Sequence, residues 1–197
     1  MMAQGGARGG AREGTEDGRD RLETLAAAAG GRAGLPPVHL WNPPLCADIG
    51  LRITRDGAWW HQGAPIARPA LVKLFASVLR CDADGHFLVT PVEKVPVAVE
   101  DAPFLAVSMQ EQDDYLVFRT NLDDEVRADA DHPLRFKAGE AGGTKPYIRL
   151  RADLWALLTR SLAYDLMQRA EVREVNGREI MGVSSGGHFF VMEDGCT

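Results

Sequence analysis

The chain has 197 residues, with 22 Lys and Arg against 28 Asp and Glu, a formal charge of −6 and 45% hydrophobic content. That balance suits a soluble globular protein and excludes a duplex-DNA reader, whose affinity rests on a basic face set against phosphates. No apolar run approaches the ~18–20 residues that span a bilayer, and the N-terminus lacks a hydrophobic signal core, so the expectation is a cytoplasmic protein without a membrane segment.

Residues 1–18 are rich in Gly, Ala and Arg with no hydrophobic period, and they are expected to form a disordered tail. Residues 19–34 follow as a short helix, its stripe of Leu22, Leu25, Ala26 and Ala29 stopped by Gly30-Gly31. Residues 35–94 read as an N-terminal α+β domain that opens with an extended arm. Pro36-Pro37 and Pro43-Pro44 stiffen that arm, and Trp41 is expected to bury against the body.

Alternation over Asp48–Arg55, then Asp56-Gly57, then Ala58–Gln62 predicts a hairpin with a two-residue turn. Pro69 opens a helix that should run to about Arg80, with Leu71, Leu74, Phe75, Val78 and Leu79 on one face.

Residues 95–197 form the C-terminal α+β domain. Strands are expected at His86–Thr90, Val95–Glu100, Phe104–Gln110 and Tyr115–Asn121, with shorter ones near Val126, Leu134–Lys137 and Tyr147–Leu150. A second, longer helix over Ala152–Ala170 is predicted from Leu154, Leu157, Leu158, Leu162 and Leu166. Strands at Glu179–Val183 and His188–Glu193 close the chain.

Arg68–Leu74 echoes Arg151–Leu157, and Gly85-His86-Phe87 echoes Gly187-His188-Phe189, which suggests duplicated strand–helix–strand units. Cys46, Cys81 and Cys196 are odd in number and widely spaced, so neither a disulfide framework nor a zinc knuckle is expected.

Six blocks come in a distinctive order. They are Asp56-Gly57; Leu71-Val-Lys-Leu-Phe75; Leu88-Val-Thr-Pro-Val-Glu-Lys94; Glu100-Asp-Ala-Pro-Phe-Leu105; Phe118-Arg-Thr-Asn121; and His132-Pro-Leu-Arg135 with Pro146-Tyr147. From about Leu35 to Met192 the chain resembles a bacterial family known only as domain of unknown function 1285. The resemblance implies a two-domain α+β fold built by duplication, two small antiparallel-sheet domains of which the C-terminal one is a pleckstrin-homology-like barrel capped by a helix. It also implies a small, nucleotide-like ligand between the domains and a signalling role.

The candidate ligand contacts are Lys73, Arg119, Asn121, Arg135 and Tyr147, with Glu93 and Asp101 holding the cations in place. An Arg fork suits a carboxylate or phosphate, and neutral amides fix orientation. His132 lies three residues from Arg135 with Asp129 and Asp131 nearby, which opens an alternative: an acid–base or metal-assisted hydrolase. No His-x-His or His-x-x-x-His spacing supports a preformed metal site, so no metal, cofactor or catalytic residue is assigned. Gly139, Gly142 and Gly143 before Lys145 match no phosphate loop. A protein-interaction module or a homodimer is the third alternative.

Overall fold

The computed structural model describes residues 22–29, 34–139, 142–175 and 177–192. The tail expected over 1–18 and Cys196 lie outside the described residues. Helix α1 covers 22–29 and buries Leu25 and Ala29, so the apolar stripe read from the sequence is the face that packs.

Six strands then build the N-terminal sheet: β1 (Leu51–Ile53), β2 (Trp59–His61), β3 (Ala64–Pro65), β4 (Leu79–Asp82), β5 (Gly85–Val89) and β6 (Lys94–Val99). Helix α2 (Pro69–Ser77) bridges β3 and β4 and lays Phe75 against Trp59, ring centroids 6.2 Å apart. The sheet order is β3-β2-β1-β6-β5-β4, antiparallel except for the central β1–β6 pair.

The C-terminal sheet uses β7 (Phe104–Gln112), β8 (Tyr115–Thr120), β9 (Glu125–Arg127), β10 (Leu134–Ala138), β11 (Thr144–Arg151) and β12 (Leu154–Leu158). Its order, read from the same end, is β9-β8-β7-β12-β11-β10, again with only the central pair parallel. The two sheets therefore share one topology. Duplication is present as two three-strand meanders per sheet, joined at their first and last strands.

Helix α3 (Arg160–Met167) and a third sheet of β13 (Glu171–Val175), β14 (Arg178–Ser185) and β15 (His188–Val191) complete the C-terminal half. One hydrophobic cluster runs from Leu25 through Phe75, Phe104 and Phe118 to Leu166 and Val183, so both halves share a core.

The helix expected over Ala152–Ala170 is instead a strand followed by a short helix. Leu154, Ala156 and Leu158 are buried at a spacing of two, the period of a strand, while Leu162 and Leu166 are buried at the helical spacing of four. Joined end to end, the two periods resemble one long helical stripe. The echo between Arg68–Leu74 and Arg151–Leu157 consequently sets a helix beside a strand, and it does not carry the duplication.

The Asp56-Gly57 hairpin is also wider than a two-residue turn. Its loop spans Thr54 to Ala58, closed by Thr54 N–H donating to the Ala58 carbonyl at 3.0 Å. Gly57 alone takes a positive φ there, +77°. Helix α2, expected to run to about Arg80, ends at Ser77 because Leu79–Asp82 pair with β5.

The third sheet is anchored through its own hairpin turn. Ser185 Oγ donates to the Ala128 carbonyl at 2.7 Å and accepts the Leu116 N–H at 2.8 Å, and Gly186 N–H donates to the Asp114 carbonyl at 2.8 Å. Gly186 holds φ +54°, and a Cβ there would stand 2.2 Å from the Tyr115 ring. Gly186→Ala is expected to destabilise the protein by about 2–4 kcal/mol, a fall in midpoint of roughly 5–12 °C by differential scanning calorimetry.

Candidate functional site

The link from β6 to β7 is only Glu100, Asp101, Ala102 and Pro103, and it brings the two sheets side by side. Asp101 points inward there, its side chain 9% exposed. Lys145 Nζ and the Tyr147 hydroxyl each donate to its carboxylate at 2.7 Å. Burial alone raises the Asp101 carboxyl, but the two hydrogen bonds and the charges of Lys145 and Arg55 outweigh it and hold the group below its ordinary value. Burial and the Asp101 carboxylate push the Tyr147 phenol well above its own.

A cleft of about 330 Å³ opens beside this pair. Cys81 and His86 line it from the N-terminal sheet, Asp101, Ala102 and Pro103 from the link, and Arg135, Lys137, Tyr147, Asp153 and Trp155 from the C-terminal half. Arg135 pairs in register with Tyr147 across β10 and β11. Its guanidinium carbon sits 4.0 Å from the Trp155 ring centroid and 5.9 Å from that of Tyr147. Lys137 Nζ is 5.4 Å from the Tyr147 ring. Both cations are exposed to the cleft, and among the described residues neither has a carboxylate within ion-pair distance. Burial holds the His86 imidazole below its ordinary pKa, so near neutral pH it is uncharged. Chemically the cleft offers two cations on aromatic rings, a neutral imidazole and the acceptor Asp153. It is suited to holding an anion; Cys81 stands in register opposite His86 at its edge, its Sγ directed to the Asp82 carbonyl at 3.8 Å.

Of the eight candidate site residues read from the sequence, His132 included, the cleft gathers Asp101, Arg135 and Tyr147. Lys73 instead pairs with Asp123, beside a smaller cleft that also holds Asp124 and Arg151. Asn121 clamps a turn, its Oδ1 accepting the Leu105 N–H at 3.1 Å. Arg119 lies in a separate, smaller groove on β7–β9 with Ser108 and Glu125. Glu93 takes part in a tight turn in which its N–H donates to Thr90 Oγ1 at 3.1 Å. His132 Nδ1 stands 3.1 Å from Asp129 in the loop before β10, and among the described residues no three metal-ligating side chains converge.

Sequence reasoning missed Lys137, Trp155, His86 and Asp153 as cleft residues. Lys137 was within reach, because positions two apart on a strand share a face and Arg135 is already on it. Trp155 was hidden by the helical reading of its strand.

Two family models match adjoining stretches of the chain: the N-terminal domain of the domain of unknown function DUF1285 over residues 36–102, and the C-terminal domain of the same family over 103–192. The boundary falls inside the short link that carries Asp101. The chain is a two-domain α+β protein built by duplication. It belongs to the DUF1285 family.

A DUF1285 family protein from Silicibacter pomeroyi DSS-3, solved at 2.50 Å, is 43% identical, with 87% of this chain and 93% of that one covered and a TM-score of 0.78. One from Shewanella baltica OS155, solved at 1.40 Å, is 32% identical, with 60% and 91% covered and a TM-score of 0.50. Among curated proteins none matches. Among the described residues no helix is long and apolar enough to cross a membrane.

Asp101→Asn keeps the acceptor for Tyr147 but removes the charge that Lys145 meets. The loss should be about 1–3 kcal/mol at neutral pH, between the values for exposed and fully buried pairs. Because the folded-state pKa is the lower one, this stabilisation is present above the unfolded value near 4 and is lost as pH falls through the folded value. Urea denaturation at pH 7 and at pH 3 should therefore show the gap between parent and variant narrowing in acid.

Proposed function

We propose that this protein is a cytoplasmic, non-enzymatic sensor that binds a small anionic ligand in the cleft between its two halves. The observation that carries the reading is the pairing of Arg135 and Lys137 in that cleft, set on Tyr147 and Trp155 with no carboxylate partner among the described residues. Convergent cations without counterions in a concave site mark a place for an external anion, and clefts between domains are common ligand sites. The cleft volume of about 330 Å³ is at the lower end of the range for small-molecule sites, compatible with a nucleotide-sized molecule.

In this reading the C-terminal half is a pleckstrin-homology-like half barrel capped by α3, and the short Asp101 link transmits occupancy of the cleft to the N-terminal half. Tyr147 supports it: its ring meets the cations while its hydroxyl binds the Asp101 carboxylate.

The test is a thermal-shift screen of the full chain against nucleotides, sugar phosphates and organic acids. A ligand at a hundred times its Kd adds ~2.7 kcal/mol, and the midpoint should rise by roughly 5–10 °C. Arg135→Ala is expected to abolish that shift while changing the ligand-free midpoint by less than about 2 °C, the ordinary effect of an exposed substitution. A flat screen, or a shift that Arg135→Ala leaves intact, would contradict the proposal and turn attention to a protein partner.

A further inference from the structure

The two copies of the fold present the same four positions on their outer faces and fill them differently. In the N-terminal copy Arg80 on β4 pairs in register with Phe87 on β5, and Phe87 with Pro96 on β6. In the C-terminal copy Arg135 pairs with Tyr147, and Tyr147 with Leu157 on β12. Two residues beyond each arginine stand Asp82 and Lys137. Two residues before Pro96 and Leu157 stand Lys94 and Trp155. Phe87 and Tyr147 are 5% and 4% exposed, yet neither belongs to the shared core, as expected of equivalent positions on the far side of each sheet.

The N-terminal copy is a complete anion clamp that uses its own carboxylate. Arg80 Nε and Nη2 donate to the two oxygens of Asp82 at 2.7 Å each. Lys94 Nζ stands 2.8 Å from the same carboxylate and 3.8 Å from the Phe87 ring centroid. Arg80 Nη1 meanwhile donates to the carbonyls of Val38 and Trp41, at 3.0 and 2.7 Å, so the extended arm covers this face. The arginine hydrogen bonds outweigh the opposing effect of burial and hold the Asp82 carboxyl below its ordinary value.

The C-terminal copy keeps the arginine and the aromatic floor, but has Lys137 where the acid stands and Trp155 where Lys94 stands. The arm covers the equivalent face in the N-terminal copy, whereas this one opens into the cleft.

We infer that the anion taken by the cleft is a carboxylate, held by the Arg135 fork as Asp82 is held by that of Arg80, with Lys137 beside it in the place of the internal acid. The inference rests on the cleft reading given above. Two parallel N–H···O bonds from a planar guanidinium fit a planar carboxylate, and the same chain already makes that pair at the equivalent position. Asp153 and His86 line the same cleft, so a small acid carrying a second polar group fits it better than a purely apolar one.

Succinate and benzoate are the probes, against inorganic phosphate and adenosine monophosphate at matched ionic strength, read by thermal shift and titration calorimetry on the full chain. At ten times its Kd a carboxylate should raise the midpoint by roughly 3–6 °C. Phosphate and the nucleotide should give less than about a third of that shift.

Lys137→Asp supplies the second arm. Its introduced carboxylate can meet Arg135 as Asp82 meets Arg80, so this variant should unfold at a higher temperature than the parent and bind succinate at least about tenfold more weakly, ~1.4 kcal/mol. Lys137→Gln should weaken succinate binding without raising the midpoint.

A saturable response to phosphate or the nucleotide, with none to either carboxylate, would overturn the carboxylate assignment and leave the cleft reading standing. A carboxylate response that survives both Lys137→Asp and Arg135→Ala would overturn the cleft reading as well.

Discussion

The buried carboxylate of Asp101 constrains the relation between the two halves. Only four residues join β6 to β7, so the N-terminal sheet delivers its last strand almost directly into the first strand of the next. A charge placed in that link must be met where it lies, because an unpaired ion in a poorly hydrated site costs several kcal/mol. Lys145 and Tyr147, both on β11, meet it. The same contacts fix the Tyr147 ring on which Arg135 and Lys137 rest, so the tie between the halves and the floor of the cleft share one side chain.

Duplication supplied a scaffold with two equivalent outer faces, and their divergence makes one of them a candidate site. Both copies set an arginine opposite an aromatic residue in register across a strand pair. The N-terminal copy neutralises its cations with Asp82 and covers them with the arm. The C-terminal copy leaves Arg135 and Lys137 open, even though the protein as a whole is acidic. Within a net negative chain the cleft sets Arg135 and Lys137 beside Asp153, with Asp101 already met by Lys145, so its two cations are placed to favour a small anion over a long polyanion. Arg151 adds a second tie between the halves, its Nη2 donating to the Ala76 carbonyl at the end of α2 at 2.6 Å.

Most strands were legible from the sequence because their signal is local. His86–Thr90, Val95–Glu100, Phe104–Gln110 and Tyr115–Asn121 combine β-branched and aromatic residues with turn residues at their ends, and each is a strand in the structure. The Trp155 strand was not legible, since Leu154, Leu157 and Leu158 satisfy a helical spacing as readily as an alternating one, and only pairing with β7 and β11 decides between them. The topology of the duplication was hidden for the same reason: it resides in strand order and register, while the short echoes at 68–74 and 151–157 do not. Among the residues lining the candidate cleft, Asp101, Arg135 and Tyr147 are singled out because charge and aromaticity stand out in a sequence. Lys73 and Arg119 carry the same chemistry but fold onto other surfaces, and no local pattern separates the two groups.

The most direct test of the central claim is site-resolved. In a proton–nitrogen NMR titration of the arginine Nε–H groups with succinate, the account predicts that the Arg135 signal moves saturably while the Arg80 signal stays fixed, because Asp82 already holds it. An unmoved Arg135 signal, or equal movement of both, would show that the two faces do not differ in the way their residues imply, and would contradict the account.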